Sequence, residues 1–306
     1  MIYKSLQLLL EFLRLKSKTQ TGRNVIKIGK YVLKIHNNVT EATYEYSILS
    51  QINYTNPITF KAPDVFKLLK TQSHGVIVMK YIVGYDLYSY IMRFLLFGTS
   101  DVIKTFYKLG KAVRALHSID FKGLRSNSLP STSAELMSEI VKLSEKLALW
   151  RLIDRELFNA IINIVKEIEL ADEIFLPVSL HGELYFTHML VPDSKFVLFD
   201  FHNAQRGPLY FDLAMFCISL YVSLIFSFSA QRLIPLMEAF LRGYFGKDLN
   251  ARFMRSLKIA ELYVALREML TYVRDLYVEN SLLTRLIIML RIKRLKLAIK
   301  RLFYQN

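Results

Sequence analysis

Five side chains stand out by their types and their order: Lys34, Glu45, Glu183, His188 and Asp200. Lys34 lies in a strand-like stretch, Glu45 in a helix-like one, Glu183 on a loop, His188 five residues later, and Asp200 at the end of an apolar run. Such a set can move a phosphoryl group from a nucleotide to a hydroxyl. A lysine held by an ion pair orients the α- and β-phosphates, one carboxylate accepts the proton of the attacking hydroxyl, and a second acidic residue holds a divalent ion against the phosphates. In that assignment Lys34 with Glu45 anchors the phosphates, Glu183 is the base, and Asp200 and His188 are the metal ligands.

The elements that must carry these residues are readable from periodicity. "NVIKI" and "YVLKI" alternate β-branched or aromatic with polar residues and meet at Gly29-Lys30, so a hairpin presents Lys34. Apolar spacing over residues 40–52 predicts a helix bearing Glu45, with Thr40 as its N-cap. After a loop marked by Pro57 and Pro63, "GVIVMKYI" (75–82) is a strand, and a lobe boundary follows near residues 81–85, dividing 1–82 from 83–306. Beyond it the pattern is helical, except for the short strands "HMLV" (188–191) and "FVLFDF" (196–201) on either side of the turn "PDSK". The expected fold class is α+β and bilobal: a small β-sheet lobe, a larger and mostly α-helical lobe, and a nucleotide between them. The segment "KTQTGRN" offers one glycine, Gly22, whose backbone could help cover phosphates. Asp86, just past the hinge, either reaches a ribose hydroxyl or caps the next helix, with capping the simpler reading; His117 reads as a packed or capping residue, whereas His202 and Arg206 either contact substrate or bridge loops.

Set in this order, "LHGELYFTHMLV", "VLFDF" and "GPLYFDLA" resemble the catalytic loop, metal strand and bracing helix of the aminoglycoside phosphotransferase and choline kinase branch of the protein-kinase-like fold. "VMKYIVGYDL" is similar to that family's lobe-connecting hinge, which implies that Met79 and Tyr81 lie at the nucleotide. The resemblance further implies that His181 and Glu183 belong to the catalytic loop, that Asp212 braces it, and that the cofactors are ATP and Mg2+. Two positions depart from the family pattern. Glu183 stands where that loop carries aspartate, and His188 stands where it carries asparagine. Imidazole suits hard magnesium poorly, so Mn2+ is the other candidate ion. "ELYFTHMLV", "DFHNAQR" and "GKYVLKIH" are also similar to the lipopolysaccharide core heptose kinases.

Composition bounds what remains. A hydrophobic share of 53% with only 7 Pro and 11 Gly in 306 residues supports folded lobes rather than disorder. A single cysteine, Cys217, allows no internal disulfide, which points to a cytoplasmic protein. The net charge of +15 attracts phosphates, lipids or nucleic acid alike; no nucleic-acid motif accompanies it, so no specific nucleic-acid partner is expected. "RLIIMLRIKRLKLAIKRLFYQN" (285–306) carries seven basic residues and no acidic one, and its Ile288, Ile292, Leu295, Ile299 and Leu302 share one helical face. With a first amphipathic helix over residues 1–18, this basic end fits either an anionic membrane surface, giving a peripheral protein on the inner face, or a helix docked on the core. The uncharged stretch 213–230 reads as a buried helix rather than a membrane span. The expected activity is ATP-dependent phosphorylation of a hydroxyl on a small molecule, sugar or lipid-linked glycan. The alternative is a catalytically weak or inactive nucleotide-binding scaffold or regulator, suggested by Glu183 and His188.

Overall fold

The computed structural model describes residues 25–98, 100–126, 128–191, 195–223, 233–246 and 250–304. The expected first helix and Gly22 lie outside these residues. Strands β1 (Val25–Ile28) and β2 (Tyr31–His36) form the expected hairpin, turning at Gly29, whose positive φ of 57° suits a residue without a side chain. Helix α1 (Val39–Thr55) follows. Its cap is Asn38 rather than Thr40: the Asn38 carboxamide oxygen accepts the Thr40 N–H at 2.7 Å, placing Thr40 inside the first turn.

The chain then forms β3 (Phe60–Lys61), β4 (Val65–Lys70) and β5 (Gly75–Lys80). Strand β4, "VFKLLK", was not anticipated, because its apolar pair Leu68-Leu69 breaks the alternation that marks a strand. Antiparallel pairing gives the sheet order β1-β2-β5-β4. Helix α1 lies on this sheet, and Gly75 makes the approach possible, since a side chain there would run into the Ala42 methyl. Ala62–Val83 and the described residues up to Asn56 form one compact unit.

The second unit comprises Pro57–Lys61 and Gly84–Asn306. It contains β6 (Tyr85–Asp86), α2 (Leu87–Phe97), α3 (Ser100–His117), β7 (Arg125–Ser126), α4 (Ser133–Leu149), α5 (Arg155–Glu167) and β8 (Pro177–Leu180). It continues with β9 (Met189–Val191), β10 (Phe196–Leu198), β11 (Gln205–Pro208), α6 (Tyr210–Ser223), α7 (Ile234–Phe245), α8 (Ala251–Val278) and α9 (Leu282–Tyr304). Two small sheets, β3-β10-β9-β6 and β7-β11-β8, sit among the helices. The chain crosses between these sheets twice, over residues 181–188 and 199–204. Pairing of Leu180 with Gln205 and of Met189 with Leu198 brackets both crossings, so the register itself brings them side by side. The expected chemistry-bearing residues of this unit sit on those two crossings.

Helix α6 is buried in its described residues except for the half-buried Tyr221, as expected for the uncharged stretch 213–230 inside a core. Residues 224–230 of that stretch lie outside the described ones. No helix among the described residues is long and apolar enough to cross a membrane. The row Ile288, Leu295 and Ile299 of α9 is buried, so this row docks on the protein core.

Helices α3 and α7 meet through two glycines. A side chain at Gly110 would strike the Phe240 carbonyl oxygen, and one at Gly243 the Tyr107 carbonyl oxygen. Backbone, unlike the end of a flexible side chain, cannot step aside. We predict that Gly243→Ala lowers stability by about 1–3 kcal/mol, the usual effect of overpacking; urea denaturation with an unchanged midpoint would contradict so close a crossing.

Candidate active site

In the first unit, strand geometry puts residues 34 and 36 on one face, since side chains two apart point the same way. Both reach Glu45 on α1. Lys34 Nζ lies 2.7 Å from each Glu45 carboxylate oxygen, and His36 Nε2 lies 2.8 Å from Oε2. Glu45 is 1% exposed, so its charge is compensated inside the protein by Lys34, with the His36 ring beside it. The spacing of His36 from Lys34 was the available signal for this second contact. Met79 is buried in β5, paired with Val32 and Val65. Tyr81 donates its backbone N–H to the Lys30 carbonyl at 2.9 Å, and the Lys27 ammonium lies 3.5 Å from the centre of its ring.

In the second unit, the segment after β8 hangs from Asp212, in the first turn of α6. Asp212 is completely buried. One carboxylate oxygen accepts the His181 N–H at 2.7 Å and the other the Gly182 N–H at 3.0 Å. His117 Nε2 lies 3.1 Å from the first of these oxygens, and the Tyr244 hydroxyl lies 2.7 Å from His117 Nδ1. A carboxylate only accepts, so Nε2 carries the proton; in the neutral ring Nδ1 then accepts from Tyr244. His117 therefore supports the brace, a role its position at a helix end did not reveal. Gly182 has φ of 85°, and a side chain there would strike the Asn203 carbonyl oxygen. That close approach welds the two crossings together.

His181 is also fully buried. Its Nε2–H donates to the Phe199 carbonyl at 3.1 Å, and burial depresses its pKa to about 4, so the ring is neutral at physiological pH. Glu183 Oε1 accepts from the Asn203 carboxamide at 2.6 Å. The other amide hydrogen of Asn203 faces His202 Nε2 at 3.0 Å, while His202 Nδ1 is 2.7 Å from Asp200 Oδ1. A neutral His202 satisfies both contacts, donating to Asp200 and accepting from Asn203. Glu183 and Asp200 are thus tied through two side chains. Asn203 was missed in the sequence; the one available signal was a polar pair, His202-Asn203, directly after an apolar strand. His202 links Asp200 and Asn203 within the second crossing, and its Nε2 lies 3.9 Å from Glu183 Oε2 on the first. Arg206 pairs with the exposed Asp120 at 3.1 Å, and Asp86 caps α2 through the Ser89 N–H.

His188 Nδ1 lies 3.0 Å from the Glu183 carbonyl oxygen, which fixes the proton on that nitrogen. In the neutral ring the lone pair of Nε2 is then available, 3.7 Å from Asp200 Oδ2. Asp200 has φ of 73°, a left-handed conformation that aspartate tolerates better than most residues and that often marks functional positions. One oxygen and one nitrogen at this separation fit an ion that completes its shell with water and substrate phosphates. Among the described residues no group of three His, Cys, Asp or Glu side chains forms a ready metal cage. On the outer side of the loop, the Tyr185 hydroxyl donates to Glu268 of α8 at 2.8 Å, and burial raises the Glu268 pKa.

A family model described as "Phosphotransferase enzyme family" matches residues 17–255. No curated protein matches the sequence significantly. Among solved structures, a choline/ethanolamine kinase family protein from Mesorhizobium loti is 14% identical with a TM-score of 0.60, over 92% of this chain and 85% of that one. Amicoumacin kinase hAmiN, in complex with AMP-PNP, Ca2+ and Ami, is 13% identical with a TM-score of 0.53, over 87% and 81%. The streptomycin-ATP-APH(2″)-IIa ternary complex is 16% identical with a TM-score of 0.53, over 99% and 97%. At these identities the likeness is one of fold: kinase-like and α+β, with a small β-sheet region followed by a mostly helical part.

The buried His181 gives a pH dependence whose sign is fixed. Its folded pKa, about 4, lies below the ordinary 6.5. Between these values the unfolded chain binds a proton that the folded chain refuses, so stability falls as pH drops from 6.5 towards 4 and the loss is complete below that. The expected loss is on the order of 3 kcal/mol. Urea titrations across this range should show a shallower decline for His181→Gln; identical slopes in both proteins would contradict a neutral, buried ring.

Proposed function

The chain belongs to the phosphotransferase enzyme family, and from that membership we propose that it transfers the γ-phosphate of ATP to a hydroxyl of a small molecule, sugar or lipid-linked glycan. The observation that carries the proposal is the hydrogen-bonded link from Glu183 through Asn203 and His202 to Asp200. It joins a carboxylate able to take a proton to a carboxylate able to hold a metal ion, which in-line phosphoryl transfer requires.

In this reading Glu183 accepts the proton of the attacking hydroxyl as its oxygen bonds to the γ-phosphorus, and ADP leaves with the electron pair of the broken P–O bond. Asn203 holds the Glu183 carboxylate, which is one methylene longer than an aspartate, at a defined reach. Asp200 and His188 would hold Mg2+ or Mn2+, which would supply positive charge against the phosphates. Lys34, kept in place by Glu45, anchors the nucleotide phosphates; Gly22, Met79 and Tyr81 complete the nucleotide side. His181 is neutral and positions the loop, and Asp212 braces it. Residues 1–82 would thus supply the nucleotide anchor and 83–306 the chemistry, in a protein of the cytoplasm whose one cysteine is buried.

A second reading, a nucleotide-binding scaffold or regulator of little activity, is favoured by Glu183 and His188 standing in place of aspartate and asparagine. An ATP-consumption assay over a panel of hydroxyl acceptors, run with each ion, separates the two. We expect Asp200→Ala to lower turnover by about a thousandfold. Glu183→Gln should lower it by roughly a hundred- to ten-thousandfold, and Asn203→Ala by about a hundredfold through misplacement of Glu183. Turnover unaffected in Asp200→Ala would refute the assignment, whereas nucleotide binding without turnover in the unaltered chain would favour the scaffold. His188→Asn should move the ion preference from Mn2+ towards Mg2+, since oxygen replaces nitrogen in the shell; an unchanged Mn2+ to Mg2+ activity ratio would remove His188 from it.

A further inference from the structure

Helix α9 has two apolar faces, and among the described residues only one is covered. Ile288, Leu295 and Ile299 are buried against the protein. On the opposite side Leu282, Leu283, Leu286, Met289, Leu290 and Leu297 point outward, Leu282 at 85% and Leu283 at 68% exposure. The spacings 282, 286, 289, 293 and 297 set Leu282, Leu286, Met289 and Leu297 in one row that also contains Lys293. Exposed Arg285 lies beside it. No acidic residue follows Glu279 in the chain. Four exposed apolar residues in one row, broken only by Lys293 and flanked by exposed Leu283 and Leu290, exceed the scattered apolar residues of an ordinary surface.

Charge decides what can cover this row. A second copy laid on it would bring two sets of Arg285 and Lys293 onto one apolar strip to which the helix itself contributes no carboxylate, and interface cores are depleted in lysine. Residues 1–18 of the chain itself carry Lys4, Arg14, Lys16 and Lys18 against the single Glu11, so they offer the same sign. An anionic bilayer surface supplies both requirements at once: acyl chains for the leucines, and phosphate headgroups for the basic residues at the same depth. Other cations of this helix are already engaged. Lys296 and Lys300 lie 3.2 and 3.4 Å from Asp154, and Arg291 lies over the Tyr272 ring. Lys300, seven residues beyond Lys293, ends the same row, so the pairs with Asp154 tie the C-terminal end of the helix to the protein while Leu282, Leu286, Met289 and Leu297 stay outward.

We propose that the outer face of α9 is a docking surface for anionic membrane lipid, with the helix lying in the interface plane. This assignment stands on exposure and charge and is independent of the catalytic reading. The test is flotation of the full chain with phosphatidylcholine vesicles, with and without phosphatidylglycerol, at low and high salt. The expected result is binding to the anionic vesicles only, weakened by salt. Leu283→Glu combined with Leu286→Glu should reduce that binding at least about tenfold with the thermal midpoint unchanged, and Lys293→Glu should reduce it by a smaller factor. Absence of the chain from the anionic vesicle fraction overturns the proposal, as does equal binding to neutral vesicles or undiminished binding by the leucine variant. A dimer in light scattering that the leucine variant dissolves would assign the face to self-association and likewise overturn it.

Discussion

A single buried carboxylate organises the chemistry-bearing part of this protein. Asp212 has no exposed surface, so its charge must be compensated by donors rather than by water, at a desolvation cost of several kcal/mol. Two successive backbone N–H groups and a histidine supply those donors. Hydrogen bonds to a charged group contribute about 1.5–3 kcal/mol each, enough together to hold a loop that would otherwise choose among many conformations. The histidine is in turn placed by the crossing of α3 and α7, where two glycines let backbone approach backbone. Helix packing and loop geometry are therefore one problem here: the spacing of two helices decides where His117 and Tyr244 stand, and these decide how Asp212 is held.

Strand register does the rest. Because both crossings between the two small sheets are bounded by paired residues, Glu183 and His188 on one meet Asp200 and Asn203 on the other. The longer side chain of Glu183 would have more freedom than an aspartate, and the Asn203 carboxamide restricts it. His188 is constrained in the same manner by the Glu183 carbonyl, which leaves its outward nitrogen aimed at Asp200. Both departures from the family pattern thus have a local partner that orients them.

Much of this was legible in the residues, and the limits have physical causes. Short-range patterns were readable: the hairpin turning at Gly29, the strand at residues 75–80, the helix carrying Glu45 and the cap at Asp86 each depend on neighbours in sequence. The helix start was misplaced by two residues because Asn38 and Thr40 are both good caps, and only the backbone angles choose between them. Strand β4 was hidden by its adjacent leucines. Contacts between distant residues were invisible: nothing in "HNAQ" says that an amide will reach back twenty residues to Glu183, and nothing in "LGKAVRALHS" joins His117 to Asp212. In α9 periodicity picked out the row of Ile288, Leu295 and Ile299, yet the helix is apolar on both sides. Only packing shows which side is covered.

The proposed function requires that this set of residues break the terminal phosphate bond of ATP and hand the phosphate to a hydroxyl. Phosphorus NMR of ATP, a divalent ion, the intact chain and a panel of sugar and amino-alcohol acceptors tests it most directly. The γ-phosphate signal should decline while ADP and one new phosphomonoester signal grow in equal measure. ATP signals that broaden on binding but persist unchanged with every acceptor would contradict it.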